Sequence, residues 1–295
     1  MNTKRSFKTR YLVISPVKDE ERHVQRTLDS MSSQTLKPDA WIIVDDGSAD
    51  RTPQIVEAST GKLDFLHLIR RPRREDRQPG SGIIAAFNAG YERASSLDYD
   101  FIVKLDCDLS FEPEYFEHLL AEFTTEPRLG IASGIYLELR DGGEWKEVGM
   151  PAYHAAGACK VVRRECFEQI GGFLPARGWD TVDEIRAMAK GWRTGHFSKL
   201  QMKHWKIEGS GIGSFRTNIM HGEVYYRTGG SGLFFLLKVL HRTATQPYLI
   251  GGFALLWGYA KALFRRDALL VTKSEARCYR ELLNGRITRI LKQAL

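Results

Sequence analysis

The sequence predicts an α/β protein whose first half is a nucleotide-binding fold on a mainly parallel sheet. Short apolar runs alternate with helix-like segments at intervals of roughly thirty residues, which is typical of βαβ units. Acidic residues follow two of these runs, at positions 45–46 and 106–108, where parallel strands commonly bind ligands. After Gly130 an apolar run and a hairpin signal at residues 140–143 indicate that the sheet becomes mixed.

The first two strands follow from local patterns. Residues 11–17 form an apolar run that predicts a buried strand. The acids at positions 19–21 are expected to begin a helix that ends near Ser33, because acids suit the positive end of the helix dipole. Residues 40–45 predict the second strand, and Gly47 permits the turn that follows it.

A basic loop lies between the third predicted strand and the next helix. The strand covers residues 64–69, the loop residues 70–82 and the helix residues 83–94. Arginine side chains and free backbone N–H groups before a helix suit a diphosphate. The alternative is a solvated surface, which is the usual meaning of an isolated charge run.

Two carboxylates end the fourth predicted strand, residues 101–108. Asp106 and Asp108 are two residues apart, so in an extended chain they point the same way. Convergent carboxylates suit a hard divalent cation together with a phosphate group. An acidic turn that closes a strand is the simpler alternative. The second acid pair, Asp45 and Asp46, favours a site, because it follows an earlier predicted strand.

The second half of the chain predicts further helices. Residues 163–170 predict a helix that ends at a glycine pair, as helices with a left-handed cap residue commonly do. Acids at positions 180, 183 and 184 lie at the start of the next helix, which Gly191 is expected to close. Such a group of acids either compensates the helix dipole or serves a site.

Length and charge divide the chain into two predicted regions, residues 1–230 and residues 231–295. A chain of 295 residues, 43% of them hydrophobic, fits one large domain with an appendage. The formal charge is +7, yet residues 231–295 hold eleven Lys and Arg against three Asp and Glu. The basic character therefore belongs to the tail. The four cysteines lack paired spacing, which is typical of thiols in a reducing compartment.

The tail predicts a membrane-associated helical region. Residues 231–237 and 247–264 are the most apolar parts of the chain. The second run would measure about 27 Å as a helix, slightly less than the ~30 Å hydrocarbon core. Basic residues such as Lys261 and Arg265 flank it, which favours an anionic membrane surface. The alternative is a pair of amphipathic helices packed on the first domain. Because residues 1–10 resemble no signal peptide, we expect a cytoplasmic protein at the inner face of the membrane.

Five segments occur in a characteristic order. They are residues 14–20, 44–48, 88–90, 105–108 and 171–173. The combination of Val-Asp-Asp-Gly-Ser with a downstream Asp-Cys-Asp resembles the family 2 glycosyltransferases, the large inverting family with the GT-A fold. The resemblance covers residues 11–206 and implies a GT-A domain, here followed by apolar and basic C-terminal helices. No Gly-x-Gly-x-x-Gly or P-loop follows the first strand, which argues against dinucleotide-dependent hydride transfer.

The resemblance also implies which residues bind the donor and the metal. The residues expected around the nucleotide and its diphosphate are Pro16, Glu20, Asp45, Asp46, Gly82, Asn88 and Asp106. Asp108 is the expected direct ligand of Mg²⁺ or Mn²⁺, with Asp106 beside the metal and the ribose. His204 is a candidate further ligand, because GT-A enzymes often complete the metal site with a late histidine. A packing role is the alternative for this histidine.

The general base is the least defined part of the predicted site. In the family a Glu-Asp pair lies on the acceptor side, and here Trp179 occupies its first position. The base therefore lies among Asp180, Asp183 and Glu184, with Asp180 our choice. A carboxylate in this role takes the proton of the attacking hydroxyl, which typically contributes roughly 10²- to 10⁴-fold.

These patterns predict a metal-dependent inverting glycosyltransferase. The resemblance implies that its donor is a UDP or GDP sugar. Its acceptor would be a hydroxyl of a sugar or of a lipid-linked molecule, in surface polysaccharide or glycolipid assembly. A sugar-phosphate nucleotidyltransferase is one alternative, but such enzymes open with a glycine-rich basic loop that residues 15–20 do not form. A non-enzymatic protein that binds membranes or nucleic acid is another. This alternative does not explain the clustered acids. Because acids repel the phosphate backbone of nucleic acids, no nucleic-acid partner is expected.

Overall fold

The structure is a computed structural model that describes residues 9–73, 80–94, 96–140, 142–206, 213–245 and 248–294. The chain forms two compact units. The first contains the residues up to Ala176 together with Trp192–Lys206, and the second contains Arg177–Gly191 and the residues after Lys206. These units are defined by contacts, and their boundaries differ from the predicted boundary after residue 230. The predicted boundary separates a catalytic region from a membrane-associated region, and it stays a prediction.

The described strands of the first unit form one mixed sheet. In chain order they are β1 (Tyr11–Val17), β2 (Ala40–Asp45), β3 (Leu66–Arg70), β4 (Phe101–Leu105), β5 (Leu109–Phe111), β6 (Leu129–Leu139), β7 (Trp145–Glu147), β8 (Cys159–Arg163) and β9 (Arg193–His204). Across the sheet the order is β3-β2-β1-β4-β8-β6-β9-β5, with β7 paired to β6. The strands β3, β2, β1 and β4 are parallel, whereas β8 is antiparallel to β4. The predicted parallel first half and mixed second half are confirmed.

Helices bury both faces of the parallel strands. The helices of this unit are α1 (Val24–Ser32), α2 (Thr52–Thr60), α3 (Ser81–Ala94), α4 (Tyr115–Thr125) and α5 (Arg164–Ile170). On one face α3 lies so close that a Cβ added at Gly90 would be 2.7 Å from Ile14 and 2.8 Å from Val44. Side chains of the other face, such as Trp41, belong to the main apolar core with α1 and α4. This burial explains why these strands are apolar throughout.

The acids at positions 19–21 do not begin a helix, so this prediction is wrong. The helix α1 begins at Val24 and has no acid in its first turn. Instead, the Asp19 carboxylate accepts a hydrogen bond from the N–H of Ala49 at 2.7 Å. The N–H of Glu21 donates to Asp50 at 3.0 Å. The acids therefore join the loop after β1 to the loop after β2, at the edge where both strands end.

Two features of the second half of the sheet agree with the predictions. The strands β6 and β7 pair as an antiparallel hairpin, although Asp141 in its turn lies outside the described residues. The helix α5 ends at Gly171, whose φ of 76° is left-handed as expected for a cap. The described structure also contains Cys107, Cys159, Cys166 and Cys278 as free thiols.

The second unit consists of helices in its described parts. They are α6 (Trp179–Ala189), α7 (Ser214–Arg227), α8 (Gly232–Thr243), α9 (Ile250–Phe264) and α10 (Lys273–Ala294). The helices α8 and α9 contain most of the two apolar runs, although residue 247 lies outside the described residues. Among the helices that the structure describes, none is long and apolar enough to cross a membrane.

Glycine residues let α7 and α9 approach each other closely. A Cβ added at Gly222 of α7 would lie 2.0 Å from the carbonyl oxygen of Leu255. A Cβ added at Gly258 of α9 would lie 2.0 Å from the carbonyl oxygen of Ile219. Both helices therefore meet backbone to backbone, and only glycine fits at these two crossing points.

Candidate active site

The carboxyl end of β2 carries the first acid pair. Asp45 is 3% exposed and accepts a hydrogen bond from the N–H of Ser48 at 3.1 Å. Asp46 forms an ion pair with Arg71 at 2.7 Å, and both side chains are 16% exposed. Gly47 has a φ of 75°, and a Cβ there would be 2.3 Å from the Cα of Arg73. The turn after β2 thus holds the first residues of the basic loop, whose residues 74–79 lie outside the described structure.

The loop after β1 contributes Glu20. Pro16 lies in β1 opposite Val44 of β2, one residue from the strand end. The Glu20 carboxylate forms an ion pair with Lys206. Burial raises the pKa of Glu20 to about 6, against the effect of Lys206 and with the help of the negative charges of Asp108 and Asp106. These carboxylates therefore belong to one electrostatic cluster.

A buried lysine determines the surroundings of Asp106. Lys104 lies in β4 with its side chain 2% exposed, and its ammonium group donates to Asp106 at 2.6 Å and to the carbonyl of Gly157 at 2.8 Å. The Asp106 side chain is 29% exposed. Its burial raises the pKa of the carboxyl group, and the Lys104 ammonium opposes this rise. One oxygen of Asp106 is thus already occupied by a cation of the protein.

Asp108 and His204 come together because β5 and β9 pair antiparallel. Leu109 of β5 lies opposite His204 of β9 in this pairing. The imidazole Nε2 is 3.4 Å from Oδ2 of Asp108, and Nδ1 is 3.9 Å from Oε1 of Glu138. Burial would raise the pKa of Asp108, but contact with His204 lowers it overall. Burial would lower the pKa of His204, but Asp108 raises it overall.

Two atoms of this pair lack hydrogen-bond partners. They are Oδ1 of Asp108 and Nδ1 of His204, both buried and both without a partner within the described residues. A buried carboxylate oxygen without a partner is costly, and it usually marks a place for a ligand or an ion. The Asp108 carboxylate therefore has one oxygen beside the histidine and one available for a cation.

The residues present fit a divalent cation that shares its coordination with a substrate. Across the described part of the chain, no group of three or more His, Cys, Asp or Glu side chains is arranged so that it could hold a metal ion, so part of the coordination would have to come from the substrate. Mg²⁺ in phosphate-transfer sites is commonly held by one or two carboxylates together with substrate phosphates and water. Asp108 and His204, with Asp106 nearby, are side chains of the kind that such a site uses, and their roles as metal ligands stay predictions.

The remaining donor-side residues lie on α3. Gly82 is in the first turn of this helix and Asn88 is near its middle. A helix N-terminus can bind an anion through backbone N–H groups of its first turn, although the N–H of Ile84 here already donates to the carbonyl of Gly80 at 3.2 Å. The structure therefore places Gly82 at a helix N-terminus, as predicted, while the roles of Gly82 and Asn88 in binding a diphosphate stay predictions.

The candidate bases lie on α6, which belongs to the second unit. Asp180 is partly exposed, whereas Asp183 and Glu184 are each 1% exposed. The Asp183 carboxylate accepts a hydrogen bond from the N–H of Glu184 at 2.6 Å. Trp179 is 6% exposed and is part of the core. Among these acids only Asp180 has the exposure that an acceptor requires, and its role stays a prediction.

Sequence reasoning missed the basic partners of the acids and Glu138. Lys104 precedes Asp106 by two residues, so strand alternation could have revealed their contact. Lys206 pairs with Glu20, which is distant in the chain, so no local pattern indicated this contact. Glu138 pairs with His204 through the register of β6 and β9, two strands that are distant in the chain. No local pattern encodes that register.

Comparisons with known proteins match the fold and the first unit. The sequence model of glycosyl transferase family 2 matches residues 12–176. Poly-β-1,6-N-acetyl-D-glucosamine synthases of Staphylococcus aureus and Staphylococcus epidermidis are 26% and 28% identical over 116 residues. These matches span 39% of this chain and 26% of each relative's own length.

Two solved structures share the fold over most of the chain. The mannosyltransferase PcManGT from Pyrobaculum calidifontis, in complex with GDP-Man and Mn²⁺, has a TM-score of 0.58 and 17% identity, and the match covers 97% of this chain and 81% of that one. S. aureus TarS in complex with UDP-GlcNAc has a TM-score of 0.54 and 17% identity, and the match covers 92% of this chain and 78% of that one. At these identities the likeness shows the GT-A fold alone.

Proposed function

We propose a donor, a cation and a reaction for this chain, which belongs to glycosyl transferase family 2 and is a glycosyltransferase. It transfers a sugar from a nucleoside diphosphate sugar to a hydroxyl acceptor, with a divalent cation bound beside Asp108. The observation that carries the proposal is the buried Oδ1 of Asp108, which lacks a partner next to His204. A cation bound together with the donor diphosphate would give the Asp108 carboxylate and the His204 imidazole the partner that they lack within the described residues.

The donor site lies where β1, β2 and β4 end side by side. Asp45 and Glu20 hold the nucleoside, Asp46 and Arg71 lie near the ribose or the diphosphate, and the first turn of α3 faces the phosphates. Displacement of the nucleoside diphosphate builds negative charge on the leaving phosphate, and a bound Mg²⁺ or Mn²⁺ would supply a Lewis acid that neutralises it. Asp108 and His204 would hold this ion, with Asp106 beside it.

The acceptor hydroxyl loses its proton to a carboxylate of α6. Asp180 is the proposed base because it is partly exposed, while Asp183 and Glu184 are buried. Attack by the hydroxyl and departure of the diphosphate in one displacement invert the anomeric carbon. An α-linked donor would therefore give a β-linked product.

The donor is of the UDP or GDP type. Solved structures that share the fold hold GDP-Man with Mn²⁺ and UDP-GlcNAc. The relatives in sequence include poly-β-1,6-N-acetyl-D-glucosamine synthases, and the match spans 26% of their own length. These names support a role in polysaccharide assembly. We further propose that the product is a surface polysaccharide or glycolipid and that the acceptor is a sugar or lipid-linked molecule at the inner face of the membrane. In this proposal residues 1–230 carry catalysis and residues 231–295 contact the membrane.

Thermal unfolding with nucleotides tests the donor site. UDP, GDP and other nucleoside diphosphates are added with and without Mn²⁺ to the native protein, to Asp108→Asn and to the exposed control Asp64→Asn. A ligand at about 100 times its Kd stabilises the folded state by about 2.7 kcal/mol, which is measurable as a rise in Tm. We expect a Mn²⁺-dependent rise with UDP or GDP for the native protein and the control only. No rise from any nucleotide, with folded protein, would refute the proposal.

A further inference from the structure

The helices α8 and α9 expose large apolar side chains to the outside. These are Leu233, Leu236, Leu237 and Leu240 of α8 and Ile250, Phe253, Leu256, Trp257, Leu263 and Phe264 of α9, and we name them the outer face. Their exposed fractions range from 43% at Leu237 to 82% at Phe264. Most of these residues lie three, four or seven positions from another member, so they form one stripe along each helix.

The buried sides of the two helices contain few large apolar side chains. The buried side of α9 consists mostly of small residues. The buried residues of α9 are Gly251, Gly252, Ala254, Leu255, Gly258 and Ala262. Those of α8 are Phe235 and Val239. In a helix surrounded by water the large apolar side chains face the core, and here most of them face outward. Small residues inside and large residues outside are typical of helices that meet lipid. An exposed apolar surface of this kind marks an interaction site.

The charges around the outer face are basic. His241 of α8 is exposed beside its stripe, and Arg265 and Arg266 directly follow α9. The ammonium group of Lys238 lies 5.6 Å from the centre of the Tyr225 ring, so it does not count among the free charges. Arg265 is partly neutralised by Glu223 and Asp267, at 3.5 Å and 3.0 Å. Residues 231–295 as a whole hold eleven Lys and Arg against three Asp and Glu. Such an excess attracts anionic headgroups and opposes contact between two copies of the same surface.

We propose that the outer face of α8 and α9 inserts into the headgroup region of an anionic phospholipid membrane, with both helices in the plane of the membrane. The helix α9 has 15 residues and measures about 22 Å, which is less than the ~30 Å hydrocarbon core. Phe253, Trp257 and Phe264 enter the acyl boundary, and the basic side chains remain among the headgroups. This inference makes the proposed membrane contact specific, and it does not depend on the transferase reaction.

Vesicle binding by the full chain tests this inference without donor or acceptor. The probes are phosphatidylcholine vesicles and vesicles that also contain about 30% phosphatidylglycerol. We expect the protein to co-sediment with the anionic vesicles at low salt and less so at high salt. Phe253→Ser/Trp257→Ser should weaken binding at least about tenfold, because two large apolar side chains no longer enter the membrane. The control Leu97→Ser/Leu139→Ser, at two exposed leucines of the first unit, should bind as the native protein does.

A second measurement separates a membrane from a second copy of the chain. The oligomeric state is determined by sedimentation equilibrium, and folding of each variant by its Tm. The inference is overturned if the folded protein ignores both kinds of vesicle. It is also overturned if the protein dimerises through the outer face, so that Phe253→Ser/Trp257→Ser abolishes the dimer while vesicle binding is absent in all forms. Because no nucleotide is present, neither result bears on the donor site.

Discussion

The substitution Lys104→Met should destabilise the first unit by about 3 kcal/mol. It removes the ammonium group that donates to Asp106 at 2.6 Å and to the carbonyl of Gly157 at 2.8 Å, and keeps an unbranched side chain in place. Removal of one partner of a buried ion pair typically costs about 3–5 kcal/mol. Lys104 is 2% exposed, but Asp106 is 29% exposed and retains some hydration, so the lower end applies.

Urea unfolding of the native and variant proteins measures this loss as a lower midpoint at an unchanged m-value. The control Lys62→Met removes an exposed ammonium group and should change the free energy of unfolding by less than about 0.5 kcal/mol. If the loss arises from the unpaired Asp106 carboxylate, Asp106→Asn should restore at least about 1 kcal/mol in the Lys104→Met background. Losses that simply add in the double variant would refute this reasoning.

Three further predictions concern other parts of the chain. His204→Ala should raise the Mn²⁺ concentration needed for half of the nucleotide-induced rise in Tm by at least about tenfold, because a second ligand of the cation is lost. Gly258→Ala should cost about 3 kcal/mol in urea unfolding, since its Cβ would lie 2.0 Å from the carbonyl oxygen of Ile219, whereas Gly285→Ala, with open space around it, should stabilise by up to about 1 kcal/mol. Burial raises the pKa of Asp50. Hydrogen bonds from the hydroxyl and the N–H of Thr52 outweigh this effect of burial, so the pKa is lowered overall. The native protein should therefore be more stable than Asp50→Asn at pH 7, and this advantage should shrink as the pH falls below about 4, the ordinary pKa of an aspartate; an advantage that grows in acid would contradict this assignment.

The features that sequence could predict are those that depend on neighbours in the chain. The acids that follow β2 and β4 could be recognised from the short apolar runs before them, and the βαβ period correctly predicted that these strands are parallel to β1, which lies between them. The prediction of a helix start at positions 19–21 was wrong because these residues form hydrogen bonds with residues 48–50 of the loop after β2. No local pattern indicates these hydrogen bonds. Glu138 was missed for the same reason, since its contact with His204 depends on the pairing of β6 with β9. Non-local pairing, and not propensity, therefore limits what the sequence reveals of the site.

Each acid around the proposed cation site has a basic partner within the first unit. The pairs are Lys104 with Asp106, His204 with Asp108, and Lys206 with Glu20. A site whose acids are already paired attracts a lone dication weakly, and it attracts a lone diphosphate weakly as well. A dication bound to a diphosphate carries little net charge and disturbs this balance least, so we expect each ligand to strengthen the binding of the other. The coupling must be reciprocal: Mn²⁺ should lower the Kd of the nucleotide by the same factor by which the nucleotide lowers the Kd of Mn²⁺. Calorimetry measures both factors, and nucleotide binding that is equally tight in a chelator would mean that the pairs do not set the charge of the site.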